Sequence, residues 1–336
     1  MNILVTGGAG FIGSNFVNYM LAEYPEHRII CFDKLTYAGN LSNLAAAFSN
    51  PRFCFVKGDI CDTVAVEEVF KRYSPQIVVN FAAESHVDNS IKSPEVCIKT
   101  NVCGTQTLLD ACVRHGVRFH QISTDEVYGD AADGKFAPFC EDAPLRPSSP
   151  YSASKAAADL LVGAYCRTYG LFATITRCSN NYGPYQFPEK FIPRAITCAL
   201  ADSPVPVYGS GQNVRDWLAV EDNCRAICLV LWRGERGGIY NVGGGCSLAN
   251  TELAKKILTL LGKPLSLVSF VQDRPGHDVR YSINSSKLRA LGWQPRVPFE
   301  EGIARTVAWY KDNAAWLGLI SSGKYRKLSP EDFTRG

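Results

Sequence analysis

An apolar run at residues 2–6 opens directly into Gly7-Gly8-Ala9-Gly10-Phe11-Ile12-Gly13, and an amphipathic stretch carries on to about Glu23. No other feature of the chain narrows its folding options as far. Glycines at every third position permit a tight turn, let the backbone approach a pyrophosphate, and aim a helix N-terminus at its charge. A glycine-rich loop in isolation says little. Between a strand and a helix it stands where a dinucleotide-binding βαβ unit requires it. The spacing, Gly7-x-x-Gly10-x-x-Gly13, differs from the commoner G-x-G-x-x-G, but the physical demands are the same.

The strands that follow reinforce that reading. Residues 28–32 form an apolar run ending at Asp33, twenty residues past Gly13. An acid there accepts hydrogen bonds from an adenosine ribose and repels a 2′-phosphate, so NAD is expected over NADP, although the cation of Lys34 could tolerate the phosphate. A strand at 53–60 brings Asp59 to its carboxyl end, either to contact adenine or to cap the helix starting near Asp62. The strand at 77–81 runs into Ala82-Ala83-Glu84-Ser85-His86-Val87-Asp88, and that at 119–123 delivers Thr124-Asp125-Glu126 to the same edge. Ligands of open α/β sheets bind at that edge. A long helix is expected from about 93 to 115, and a sixth strand at 172–177. Six β units with intervening helices predict a doubly wound parallel α/β sheet of Rossmann type. After Arg177 prolines, glycines and short elements alternate, which predicts a smaller mixed α/β lobe.

Two short constellations carry chemistry. Tyr151 and Lys155, four apart, share one face of a predicted helix. An ammonium beside the phenol lowers its pKa from the usual value of about 10, so that it can take a proton from a sugar hydroxyl. That spacing alone is usually no more than a solvated face. Asp125 and Glu126 are either solvated turn residues or, on an extended segment, carboxylates pointing to opposite sides, one a protonated acid and one an ionised base. In the second half of the chain Arg215 and Arg274 are candidate partners for a pyrophosphate, each with a surface ion pair as the plainer alternative.

Composition removes other classes. A formal charge of +3 gives no nucleic-acid footprint, and no apolar run approaches the roughly 20 residues of a membrane span. The thirteen cysteines are scattered, odd in number and without a Cys-x-x-Cys pair. With no signal peptide in view, a reducing cytoplasm is expected. No metal constellation is visible, His86 included.

The collected motifs resemble the extended short-chain dehydrogenase/reductase family and, within it, the nucleotide-sugar 4,6-dehydratases. The stretches that carry the likeness are 33–40, 83–88, Ser123-Thr124-Asp125-Glu126-Val127-Tyr128-Gly129, 177–184 and Arg274-Pro275-Gly276-His277-Asp278. The Thr-Asp-Glu triplet discriminates, because related epimerases and decarboxylases share the glycines and the Tyr-Lys pair without it. One departure is Val279, where the family often has a second arginine beside Arg280.

The resemblance implies an NAD-dependent lyase acting on dTDP-glucose, with UDP-glucose as the alternative substrate. It assigns catalysis to Thr124, Asp125, Glu126, Tyr151 and Lys155: Tyr151 as base at the 4-hydroxyl, Glu126 as base at C5, and Asp125 as acid at the 6-hydroxyl. Around the cofactor it places the loop residues Gly7, Gly10, Phe11, Ile12 and Gly13. Asp33, Lys34, Thr36, Asp59 and Ile60 would follow, then Ala82, Ala83 and Asn181 with Tyr151 and Lys155. Around the substrate it places Ser85, His86, Asp88, Thr124, Asn180 and Lys190. Pro206, Tyr208, Arg215, Asn250, Arg274 and His277 complete that set. It implies an NAD-binding domain over 1–177 with about 215–243 and a nucleotide-sugar-binding domain over 178–214 and 244–320. The likeness ends at about Trp316, and the tail from 321 to 336, with its Lys-Tyr-Arg-Lys, is expected from its own residues to be poorly ordered. A homodimer through a four-helix bundle, from helices near 100–115 and 152–168, is also implied. The rivals are a 4-epimerase or uronate decarboxylase of the same fold, and a non-catalytic NAD-binding regulator that would have no need of the acid pair.

Overall fold

A computed structural model describes residues 1–131 and 137–333. Its strands are β1 (Asn2–Thr6), β2 (Arg28–Asp33), β3 (Phe53–Lys57), β4 (Ile77–Asn80), β5 (Arg118–Thr124) and β6 (Ala173–Cys178). They continue with β7 (Asn180–Tyr182), β8 (Val205–Tyr208), β9 (Val214–Ala219), β10 (Ile239–Val242), β11 (Ser247–Ala249) and β12 (Val268–Val271). Seven of them form one parallel sheet in the order β10-β6-β5-β4-β1-β2-β3. The order reverses between β1 and β4, which pair in register from Ile3 with Ile77 to Thr6 with Asn80. Ligand crevices of doubly wound sheets open at such a reversal.

Helices cover both faces, so the central strands are apolar throughout rather than alternating. In β1, Leu4 packs toward the helices Thr63–Tyr73, Thr105–His115 and Pro150–Thr168, joining Ile30, Val78 and Phe119. Its neighbours Ile3 and Val5 face the helices Phe11–Glu23 and Val220–Arg233, with Phe16, Met20, Ile227 and Leu231. Buried polar side chains are tied together beneath the crevice: Thr6 Oγ1 donates to Asn80 Oδ1 at 2.6 Å, and Asn80 Nδ2 donates to Gln121 Oε1 at 2.9 Å.

The second lobe holds a three-stranded sheet, β11-β9-β7, and the pair β12-β8. Its core joins Ile192 and Ile196 to Trp217, Leu253, Ile257 and Tyr310. The sequence predicts six β units for the main sheet; β10 is a seventh strand, four residues framed by glycines. The strand expected over 53–60 stops at Lys57, because Gly58 turns its N–H to the carbonyl of Asp33. The long helix over 93–115 is an α-helical turn Pro94–Cys97, a π-helical segment Ile98–Gly104 and the α-helix Thr105–His115. Asp62, not Asp59, caps the following helix, accepting from the N–H groups of Val64 and Ala65.

The segment 321–333, expected to be poorly ordered, packs against the rest of the protein. A helix over Ala314–Ser321 leads into short 3₁₀ turns at Lys324–Lys327 and Pro330–Phe333. Tyr325 is buried, and Phe333 stacks on Phe48 with ring centroids 5.1 Å apart. The cluster Lys-Tyr-Arg-Lys reads as solvated, yet its tyrosine and a phenylalanine eight residues later bury enough apolar surface to hold the segment down. Among the described residues no helix is long and apolar enough to cross a membrane.

Candidate active site

The glycine-rich loop is packed to a tolerance that excludes side chains. Gly7 has φ +68°, and a Cβ on it would stand 2.5 Å from the backbone nitrogen of Ala82. A Cβ on Gly13 would stand 2.3 Å from the carbonyl oxygen of Gly7. The helix Phe11–Glu23 begins there with no side-chain cap and no acid in its first turn, leaving its N–H groups and dipole for an anion. Asp33 is buried at the end of β2, accepting from Ala9 N–H at 2.9 Å and Leu35 N–H at 2.7 Å. Burial pushes its pKa up, and those two N–H groups oppose the shift. Lys34, the cation that could have tolerated a 2′-phosphate, is paired with Asp59 at 2.7 Å. Asp59 also accepts from Cys61 N–H.

The cleft lined by these residues runs on to the catalytic candidates. Every residue expected at the cofactor lines it, and so do Thr124, Asp125, Glu126, Tyr151 and Lys155. Thr124 ends β5, and Asp125–Tyr128 is a 3₁₀ turn that Thr124 caps by accepting from Glu126 N–H. The extended segment expected here is therefore absent, and the two carboxylates do not diverge across a strand. They share the cleft because the cap closes the turn at once. Asp125 has one oxygen, Oδ2, buried without a partner in the protein. Burial, then the charges of Glu126 and Asp216, raise its pKa well above the ordinary carboxylate range. Burial also raises Glu126, but Arg274, Lys190 and Arg215 all pull it back.

Tyr151 is the second residue of the helix Pro150–Thr168, whose N-terminus is closed by a reciprocal Ser149–Ser152 cap. The expected lowering of its pKa is not what the structure holds. Burial raises the phenol well above its ordinary value, and Glu126 and Asp125 add to the shift. The ammonium of Lys155 instead donates to the carbonyl of Ile122, and burial lowers its pKa while Asp159 opposes that. Lys155 is thus drawn toward the sheet and Asp159, whereas the acid pair bears on the phenol. Asp159 is itself paired with Arg177 at 2.9 Å, fully inside the protein.

The substrate candidates divide into three groups. Ser85, Thr124, Asn180 and Lys190 line the same cleft, and Lys190 Nζ donates to the carbonyl of Ser85 at 2.7 Å. Asp88, Tyr208, Arg274 and His277 form a second cluster, with Tyr208 donating to Asp88 at 2.9 Å and Arg274 3.9 Å from it. His86 stands apart from that cluster, 3.6 Å from Glu189. The third group is turned to other tasks. Arg215 lies over the ring of Tyr281 at 4.2 Å and donates to the carbonyls of Val214, Asp278 and Val279. Three of its five N–H donors are so engaged, which leaves two N–H groups and its charge for the cleft. Pro206 pairs with Ser269 between β8 and β12, and Asn250 starts a helix with its N–H on the carbonyl of Asn213.

Glu84, Gln186, Phe187 and Glu189 also line the cleft and were not singled out from the sequence. The only signal for Gln186 and Phe187 is their place in the aromatic, proline-flanked run 184–188, and for Glu189 its place between that run and Lys190. Among the described residues no cluster of histidine, cysteine, aspartate and glutamate is arranged to hold a metal.

Comparison with known proteins agrees with this geometry. The family model described as GDP-mannose 4,6 dehydratase matches residues 4–306. A dTDP-glucose 4,6-dehydratase of Actinoplanes is 51% identical over 323 residues, 94% of this chain and 99% of that protein. Among solved structures, the Streptomyces venezuelae dTDP-glucose 4,6-dehydratase with NAD and dTDP bound is 50% identical and superposes with a TM-score of 0.91, covering 94% of this chain and 98% of that one. The Bacillus anthracis dTDP-glucose 4,6-dehydratase in complex with NAD is 49% identical with a TM-score of 0.88, covering 95% of this chain and 99% of that one.

Proposed function

The chain belongs to the GDP-mannose 4,6-dehydratase family, and from that membership we propose that it converts dTDP-glucose to dTDP-4-keto-6-deoxyglucose and water, using NAD. The observation that carries the reading is the acid pair Asp125–Glu126, sharing one cleft with Tyr151 at the carboxyl edge of the sheet. A 4-epimerase or a decarboxylase eliminates no water across C5 and C6 and has no use for two such groups. The choice of dTDP-glucose over GDP-mannose rests on near-full-length relatives at about half identity.

The residues present fit the dinucleotide. The cradle at Gly7 and Gly13 has no room for a Cβ, the helix N-terminus behind it is uncapped, and Asp33 faces the cleft with lone pairs left on both oxygens. Bound there, NAD supplies a hydride acceptor for C4 and later a hydride donor for C6. Tyr151 takes the proton of the 4-hydroxyl, and Thr124 hydrogen-bonds the reacting oxygen. Asp125, kept neutral, removes one of the negative charges that oppose the phenolate, and Lys155 lies one helical turn away. Once C4 is a ketone the C5 hydrogen is acidic, and Glu126 removes it. Asp125 donates a proton to the departing 6-hydroxyl, which leaves as water, and Glu126 returns its proton to C5. The proton gained by Tyr151 balances the one lost by Asp125, so the site resets by exchange.

The chain pairs with a second copy through the helices around 94–115 and 150–168, where Val96, Ile98, Val113 and Leu160 are exposed apolar side chains. Sedimentation as a monomer would refute the pairing. The test of the reaction is incubation of purified protein with dTDP-glucose, UDP-glucose or GDP-mannose, without added NAD, followed by mass. Loss of one water from dTDP-glucose is expected. Loss from another sugar nucleotide would move the specificity, and loss from none would return the acid pair to the status of turn residues.

A further inference from the structure

The mechanism leaves unused an aromatic assembly behind the cleft, built by the C-terminal segment. The wall of the cleft that follows Asp33 contains Thr36, Ala38 and Gly39, and the facing wall contains Gln186, Phe187 and Glu189. Neither wall is held by the main sheet. Tyr37 and Glu189 join them, with the phenol donating to the carboxylate at 3.0 Å. Behind that joint sits Tyr325, only 4% exposed, whose hydroxyl donates to the carbonyl of Tyr37 at 2.6 Å and whose ring meets Phe187 at 6.0 Å.

The same arrangement recurs upstream in the C-terminal segment. Tyr310 donates to the carbonyl of Gln186 at 2.6 Å. Trp316 donates to Asn43 Oδ1 at 2.8 Å, and Asn43 Nδ2 donates to the carbonyl of Ala9 inside the glycine-rich loop. Three aromatic side chains from one segment thus bear on the loops of the cofactor cleft: Tyr310 and Tyr325 on 186–187, Tyr325 also on Tyr37, and Trp316 through Asn43 on the glycine-rich loop.

We infer that the C-terminal segment 310–333 is part of the dinucleotide site, a strap that ties the 36–39 wall beside Asp33 to the 186–189 wall and slows the release of NAD. The inference rests on the proposed use of NAD and deepens it. A redox cycle that takes a hydride from C4 and returns it to C6 loses its product whenever the cofactor leaves between the two transfers. A strap that ties these two walls together holds the dinucleotide through both transfers. Tyr325 is a positioning residue: it acts through Tyr37 and Phe187.

The experiment is a chase. Protein loaded with NADH is mixed with excess NAD, and the loss of bound-cofactor fluorescence gives the release rate for wild type, Tyr325→Phe and Tyr325→Ala. Losing only the hydroxyl should speed release by roughly 3- to 10-fold, the equivalent of one hydrogen bond, and losing the ring should speed it by more. Turnover of Tyr325→Ala should fall on dilution and be restored by added NAD, which a general loss of stability would not allow. Hydrogen exchange over 321–333 reports whether the tail has been displaced. A wild-type release rate in Tyr325→Ala with those amides exposed would overturn the strap alone. Wild-type protein that retains no dinucleotide would overturn strap and cofactor together. Faster release in a protein that dehydrates no sugar nucleotide would support the strap and remove the dehydratase reading.

Discussion

Gly13→Ala separates stability from cofactor binding in a single methyl group. Gly13 lies inside the helix Phe11–Glu23, where alanine is ordinarily favoured over glycine by about 1 kcal/mol. The added Cβ would stand 2.3 Å from the Gly7 carbonyl oxygen and 2.9 Å from the Gly8 Cα. Both neighbours are backbone, and the loop is pinned by Gly7 N–H on the carbonyl of Phe32 and Ala9 N–H on Asp33. Relief requires a shift of the order of 1 Å, and overpacking of that kind costs about 1–3 kcal/mol. Against the helix gain, the net loss of stability is about 0–2 kcal/mol. A displacement of about 1 Å in groups that must meet a pyrophosphate is far more costly to binding, on the order of 100-fold. Calorimetric titration of NAD, with thermal unfolding of the same samples, should therefore show a folded protein that binds NAD about 100-fold more weakly. Gly116→Ala is the control. It caps the helix Thr105–His115 at φ +65° with open space around it, so it should cost stability and leave NAD affinity unchanged. Wild-type NAD affinity in Gly13→Ala would refute the role given to the glycine cradle.

Glu126→Gln should still permit oxidation at C4 but lose exchange of the C5 hydrogen with solvent deuterium, slowing water loss by roughly 10²- to 10⁴-fold; undiminished exchange would take the base role from Glu126. Tyr151→Phe should block the first step, so substrate-dependent cofactor reduction at the wild-type rate would exclude Tyr151 as the proton acceptor. His120, buried between Thr174 and Thr176 in the sheet, has its pKa lowered from 6.5 to about 3 by burial. The unfolded chain takes the proton first, so the contribution is complete above pH 6.5 and is lost as pH falls toward 3. Between pH 7 and pH 5 it should cost about 2 kcal/mol in urea unfolding. His120→Asn should show a shallower dependence on pH, and an identical slope would refute the assignment.

The sheet was legible because its physics is local. Strands buried on both faces must be apolar throughout, and the glycine spacing leaves no other junction between the first strand and helix. β10 was not counted because four residues between glycines carry too little pattern. The error at Asp125–Glu126 has a different source. The periodicity of β5 gives no sign of where it stops, and the stop is made by one hydroxyl, Thr124 Oγ1, accepting from Glu126 N–H. Arg215 shows the same limit, since a guanidinium that gives three of its N–H groups to carbonyls of two distant segments looks in sequence like any free cation. The tail misled for the opposite reason. Its charges dominate the local composition, while the anchors Tyr325 and Phe333 are far apart and find Phe187 and Phe48 only in the folded chain.

The assignment of acid and base within the pair follows from how unequally the fold treats two adjacent carboxyl groups. Asp125 is opposed by Glu126 and Asp216 and helped by Arg215, and one of its oxygens is sealed from both water and protein donors. A carboxylate there is poorly solvated, so the proton stays on and can be given away. Burial and the charge of Asp278 raise Glu126 as well, but Arg274, Lys190 and Arg215 bear on it from the second lobe and hold the rise down. Those cations favour the charged form, which is what a base at C5 needs. Exchanging the two roles would set the proton donor among three cations and the proton acceptor against two like charges. The second lobe therefore supplies more than a grip on the nucleotide: the charges it brings to the pair, Arg274 and Lys190 on Glu126 and Asp216 on Asp125, favour the proton on Asp125.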